Sequence, residues 1–147
     1  MGCKLVKGGK DLDKLIKKLG KKHPILTAGF YEGSLYDDGT KIAQVAFWNE
    51  FGTEKIPPRP FLRMTIKNHK KKWKSLIQKK IVKDKLNIEK SADYIGNFMK
   101  SDIQKSITDL KTPPNAEYTI KKKGSDNPLI DTGLMRTAVQ YKTKGIK

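Results

Sequence analysis

Cysteine is all but missing from this sequence, and the lone Cys3 excludes an intramolecular disulfide and fits synthesis in a reducing, cytosolic compartment. No apolar stretch approaches the roughly 18 residues that a bilayer span requires, so no membrane partner is expected. The opening Met1-Gly2-Cys3-Lys4-Leu5-Val6 has no signal-peptide apolar region, and Val6 stands where a myristoylation motif needs Ser or Thr. Histidine occurs only as His23 and His69, with no paired metal-ligand spacing, so neither a metal nor another cofactor is expected. Nucleophile-elbow, P-loop and dinucleotide-binding glycine patterns are also missing. Asp37-Asp38 lies in a glycine-flanked turn, where aspartate is ordinary. With no nucleophile or base placed by neighbours, the chain is not expected to be an enzyme.

Acidic residues are scarce too: 15 against 32 basic ones, giving a formal charge of +17. Such an excess taken alone points to an anionic partner, nucleic acid first and a membrane surface second, or to a solvated basic surface. Only Arg59, Arg63 and Arg136 are arginine; the rest of the basic set is lysine, spread from Lys4 to Lys147. Base recognition favours the rigid arginine fork, so a lysine-rich background is the better reading. The densest stretch, Lys67 to Lys90, holds ten lysines against Asp84 and Glu89. Its aromatic, Trp73, falls on the apolar stripe of a helix, which favours a core role over stacking on nucleic acid. A basic, non-specific DNA- or RNA-binding protein stays open as the alternative function.

What is present is enough for one domain spanning residues 1–147. At 36% apolar and 32% charged residues the chain is polar for its length, so some apolar surface is left for a partner. Leu12, Leu15, Ile16 and Leu19 form a helical stripe stopped by Gly20. Pro24 to Tyr31 reads as a strand, and Gly33 to Gly39 as a turn. Ile42, Ala43, Ala46, Phe47 and Glu50 share one face of a helix that Gly52 closes. Pro57, Pro58 and Pro60 make a stiff extended connection. Leu62, Ile66, His69, Trp73, Leu76 and Ile77 predict a long helix to about Val82. Asn87 caps a second, with Ile88, Ala92, Ile95, Met99, Ile103, Ile107 and Leu110 inward. Between Lys111 and Pro128 the periodicity vanishes, save for a single helical turn at Thr119 to Lys123, capped by Thr119 and stopped by Gly124. A short helix starts at Asp131-Thr132-Gly133, and Ala138 to Thr143 reads as a final strand. The fold class is therefore α+β, a small, mainly antiparallel sheet packed against two long helices. The segments at about 33–40 and 111–128 hold few apolar residues to offset ordering entropy. They are expected to be mobile until assembly, with Tyr36, Tyr118 and Ile120 as anchors.

Two segments carry a signature. The first is Val45-Ala46-Phe47-Trp48-Asn49-Glu50-Phe51-Gly52-Thr53, followed by Ile56-Pro57-Pro58-Arg59-Pro60-Phe61-Leu62-Arg63. The second is Pro113-Pro114-Asn115, then Thr119-Ile120, Lys123-Gly124-Ser125 and Pro128-Leu129-Ile130-Asp131-Thr132-Gly133-Leu134-Met135. In this order, and separated by two long helices, they resemble the neck and minor tail components of lambda-like phages. They are also similar to the tail completion (virion morphogenesis) protein of Mu-like phages. The resemblance covers about Val45 to Tyr141.

It implies a structural role in the virion, as a ring at the head–tail junction or the tail end. The partners would be further copies and other neck and tail proteins: head-closure, tail terminator or tail tube. A passing contact with phage DNA belongs to the same picture. In that setting Glu50 is expected to accept backbone amides or to pair with Arg59 or Arg63, locking the proline segment to the fold. Phe51 and Phe61 would anchor either side of it, with Trp48 on the same motif. Asp131 or Thr132 would cap the last short helix and leave Arg136 exposed. Arg59 and Arg63 fall within the signature and Arg136 directly follows it, and arginine suits oriented ion pairs and protein interfaces.

Overall fold

The computed structural model describes residues 25–145 except 86, together with residue 17; the helix expected at residues 11–19 lies outside that description. Strand β1 (Ile25–Gly29) and strand β2 (Gln140–Lys144) come from opposite ends of the described chain. They pair antiparallel, from Ile25 opposite Lys144 to Gly29 opposite Gln140. Between them run α1 (Ile42–Phe51), α2 (Phe61–Lys83), α3 (Ile88–Asp109), α4 (Glu117–Lys123) and α5 (Leu134–Thr137). The long helices α2 and α3 pack against each other, and α3 also lies across both strands. The fold is α+β, as expected.

A two-stranded ribbon is marginal in water, so its stability depends on the helix that covers it. Gly96 makes that approach close. A Cβ placed there would run into the Tyr141 ring on β2. Replacing Gly96 with alanine is expected to cost about 1–3 kcal/mol, because overpacking must displace either the ring or the helix. Urea titration checks this, and an unchanged midpoint would show that Tyr141 swings aside freely.

The core gathers Ile42 and Ala46 of α1, Phe61 of α2, Ile103 and Ile107 of α3, and Leu129, Met135 and Val139. Asn87 caps α3 as read, its side-chain oxygen accepting the Lys90 amide at 3.0 Å. The buried face of α2 includes Trp73, as expected, but differs in its first two turns. Phe61, Thr65 and Trp73 are buried, whereas Ile66 is 45% exposed. The row 61–65–69–73, one residue out of step with Leu62 and Ile66, faces α3. Threonine escapes a hydropathy reading because its hydroxyl looks polar, yet Thr65 Oγ1 donates to the Phe61 carbonyl within the same helix at 2.7 Å. Trp73 is core, and its indole N–H donates to Asp102 at 2.7 Å.

Residues 111–128 contain a longer helix than the single turn expected. α4 starts after Ala116, and Thr119 sits inside it and does not cap it; Gly124 closes it in the left-handed conformation. None of its residues is buried, which is why no apolar period announced it. Buried Asn127, which reads as an ordinary breaker, fastens the end of this segment. Its Oδ1 accepts the Leu129 and Ile130 amides, and its Nδ2 donates to the Thr108 carbonyl of α3 at 2.7 Å.

Candidate functional site

Glu50 ends the inward row 42–46–50 of α1, four residues per step, and is 4% exposed. Its carboxylate meets the first turn of α2, whose N-cap Pro60 supplies no side-chain acceptor. Oε2 accepts the Leu62 amide at 2.8 Å, and Oε1 accepts the Arg63 amide at 3.0 Å. Arg63 Nε donates to the same Oε1 at 2.8 Å, and its Nη2 donates to the Glu50 carbonyl at 2.8 Å. The positive end of α2 thus receives a carboxylate, while a terminal carbonyl of α1 receives a guanidinium. One residue pair satisfies orphan groups at both helix ends.

The connection between them is shaped by Gly52, at φ +81°. A Cβ there would lie 2.9 Å from the Ile56 carbonyl and 3.0 Å from the Pro58 nitrogen, so only glycine lets the proline segment fold back. That return places Arg59, 4% exposed, beneath the second signature segment. Its amide donates to the Asn49 carbonyl at 2.6 Å. Its guanidinium donates to the carbonyls of Pro113 at 2.9 Å and Pro114 at 3.0 Å. It also donates to the side-chain oxygens of Asn115 at 2.9 Å and Asn49 at 3.2 Å. Among the described residues no carboxylate joins it, and burial lowers the pKa of the guanidinium from its ordinary value. Of the two arginines offered to Glu50, Arg63 takes it, and Arg59 serves as a clamp on neutral acceptors.

Above this clamp opens a cleft of about 590 Å³, with Tyr36, Trp48, Arg59, Asn115, Thr119 and Asp131 in its walls. Both signature segments therefore meet there. Burial raises the Tyr36 hydroxyl pKa, helped by the charges of Asp131 and Asp38. Burial lowers the Lys123 ammonium pKa, against an opposing pull from Asp131. The ammonium donates to the Asn127 carbonyl at 3.0 Å. Asn115 Nδ2 is buried there without a hydrogen-bond acceptor. Asp38, Arg59 and Lys123 of this region are engaged with backbone, which suits shaping and recognition of a polypeptide surface.

The other expected site residues separate. Phe61 is 1% exposed and stands edge-on to Phe30, with ring centroids 6.1 Å apart. Phe51 is not its counterpart. It is 53% exposed, lies against Phe47 and carries the Arg63 guanidinium 4.7 Å above its ring. The physical reason is helical phase: with Glu50 inward, Phe51 is turned to the flank. Trp48 is 36% exposed at the cleft. Asp131 does not cap α5, whose N-cap is Gly133 at φ +82°. Thr132 contributes from one position earlier, its Oγ1 accepting the Leu134 amide at 3.3 Å. Arg136 is exposed beside it. Sequence reading missed Asn49, Asn115 and Asn127 as clamp residues. Asn127-Pro128 carries the usual signal of an Asx turn, whereas Asn49 and Asn115 carry none.

Tyr118 is 76% exposed and Ile120 half-buried, on a helix whose ends are tied down by Arg59 and Asn127. A seven-residue helix without a buried face has little to hold its amides closed. Hydrogen exchange is expected to be fast in α4 and in the turn at 33–39 of the free chain, and slower by about tenfold or more on assembly. Protection already complete in the monomer would assign both segments to the domain itself.

Comparison with protein-family models, curated proteins and solved structures finds no match for this chain. Among the described residues no helix is long and apolar enough to cross a membrane, and no group of three acidic, histidine or cysteine side chains is placed to hold a metal ion.

Proposed function

We propose that this chain is a structural virion protein of a tailed phage that assembles as a ring at the neck or tail end, without catalysing a reaction. The observation that carries the reading is the convergence of the two signature segments on Arg59, which joins Asn49 to Pro113, Pro114 and Asn115. Glu50, Arg59, Arg63 and Lys123 hold backbone in place, while Trp48, Phe51 and Tyr118 present aromatic surface outward. Rigid presentation of Trp48 and Phe51 on α1 supports recognition between subunits. The partners in this reading are further copies, head-closure, terminator or tube proteins, and passing DNA. Mass spectrometry of purified virions, with the protein located in a reconstruction of the neck, is the direct test. Absence from the virion, together with a chain monomeric at all concentrations, would overturn it.

The alternative is a basic protein that binds DNA or RNA non-specifically. In its favour stand Lys67, Lys70, Lys71, Lys72, Lys74 and Lys79, all exposed on α2. Against it, Trp73 is buried and bonded to Asp102, so the aromatic of this stretch offers no stacking platform. Replacing Lys70, Lys71 and Lys72 together with glutamine is expected to leave virion assembly within about twofold of wild type, as for a solvated face. Loss of assembly by a folded triple variant, with tight salt-dependent binding of duplex DNA by the wild type, would favour the alternative.

A further inference from the structure

α1 stands between two recesses. Val45, Trp48 and Asn49 face the cleft described above, whereas Ala43, Phe47 and Phe51 face a second, apolar groove of about 370 Å³. At 3.6 residues per turn these two sets fall on opposite sides of the helix. β1 with Phe30 and Tyr31 forms the other bank of the groove. Among the described residues no lysine lines it, and its one acid, Glu50, is buried and paired with Arg63. Phe47 and Phe51 stay 57% and 53% exposed. The rim is cationic. Arg63, with its side chain 55% exposed, lies over Phe51, and Lys142 Nζ lies 4.1 Å above the Tyr31 ring.

The other side of α1 carries the complementary pattern. The turn at 33–39 contributes Tyr36 and Asp38 to the cleft and is held by bonds from the Tyr36 amide to the Thr40 carbonyl and from the Gly39 amide to the Tyr36 carbonyl. Leu35 on this turn is 52% exposed, set between Glu32 and the pair Asp37-Asp38, all exposed. Exposed Lys41 lies across from Leu35, so three acids against one lysine still make this turn a local reversal of sign in a chain of net charge +17.

We propose that the apolar groove of one copy receives the acidic turn around Leu35 of the next copy. Leu35 enters between Phe47, Phe51 and Phe30, and the turn's carboxylates meet Arg63 and Lys142 at the rim. This rests on the ring reading and names its contact. Two copies of so basic a chain repel over most of their surface, so a stable contact has to join the cationic rim to one of the few exposed acidic patches. Because groove and turn lie on opposite sides of α1, the contact is head-to-tail, the kind that closes into a ring when the rotation per copy permits.

Sedimentation velocity of the full chain, of Leu35→Asp and of Phe51→Asp tests this. The wild type is expected to form oligomers, and each variant to lose association by at least about tenfold. An equimolar mixture of the two variants is expected to form dimers and nothing larger, because one copy keeps a sound groove and the other a sound turn. Both side chains are more than half exposed, and circular dichroism checks that the fold is kept. Leu35→Ser and Phe51→Ser repeat the test without added charge. Variants that oligomerise like the wild type, or a mixture that stays monomeric, would overturn this contact while leaving the ring reading standing. A wild-type chain monomeric at every concentration would overturn this contact, and the ring reading falls with it only if the protein is also absent from the virion.

Discussion

Replacing Arg59 with alanine is expected to destabilise the protein by about 3 kcal/mol or more. Hydrogen bonds to a charged donor are worth roughly 1.5–3 kcal/mol each, offset in part by release of a buried charge. The guanidinium serves four acceptors at 2.9 to 3.2 Å, and its loss strands the Pro113 and Pro114 carbonyls beside Asn115, whose Nδ2 already has no acceptor. At a few degrees per kcal/mol for a domain of this size, the melting temperature should fall by about 10 °C. Arg59→Lys should recover less than half of the loss, since a single ammonium cannot reproduce a planar fork reaching two carbonyls and two amide oxygens. Thermal and urea unfolding of the three proteins would measure this. A loss below about 1 kcal/mol for the alanine variant would mean that water replaces the clamp without penalty.

The second large effect is expected at Glu50. Glu50→Ala removes the acceptor of two first-turn amides of α2 and the partner of the Arg63 guanidinium, all within 3.0 Å. The expected cost is about 2–3 kcal/mol, a helix-cap loss of up to about 2 kcal/mol plus a charge-assisted bond. Glu54→Ala, at an exposed position four residues on, should stay within about 0.5 kcal/mol of the wild type. Glu50→Gln should fall between them, because an amide oxygen can still accept but carries no charge to oppose the helix dipole. If the Glu50 and Glu54 alanine variants unfold at the same urea concentration, the cap contributes nothing to stability.

Glu50 and Arg59 also mark how far local reasoning reaches into this site. Glu50 was legible because an acidic residue on an otherwise apolar helical row needs buried partners, and the helix after the prolines starts close by in sequence. Which arginine it takes was not legible, since both Arg59 and Arg63 lie within reach along the chain. Three of the four acceptors of Arg59 lie 54 to 56 residues away, beyond two long helices, and two of them are proline carbonyls that any sequence position could supply. Phe51 illustrates the opposite error: its aromatic character suggested burial, but its angle on α1 turned it outward to lie beneath Arg63.

The amino-acid sequence by itself determined the two long helices, the Asn87 cap, the glycine and proline punctuation around the connection at 52–60, and the α+β class. These follow from forces acting within a few residues: apolar spacing at three and four, capping oxygens and fixed φ angles. Tertiary structure decided what no such window contains. It turned the start of α2 so that Phe61 and Thr65 are buried while Ile66 is exposed, with Glu50 of another helix accepting its first-turn amides. It brought β1 and β2 together from opposite ends of the described chain across Gly96, a pairing possible only once α3 offers a covering surface. And it set the groove and the acidic turn on opposite sides of α1, since a helix with ten residues has room to bury one face and must leave its flanks to whatever else meets it.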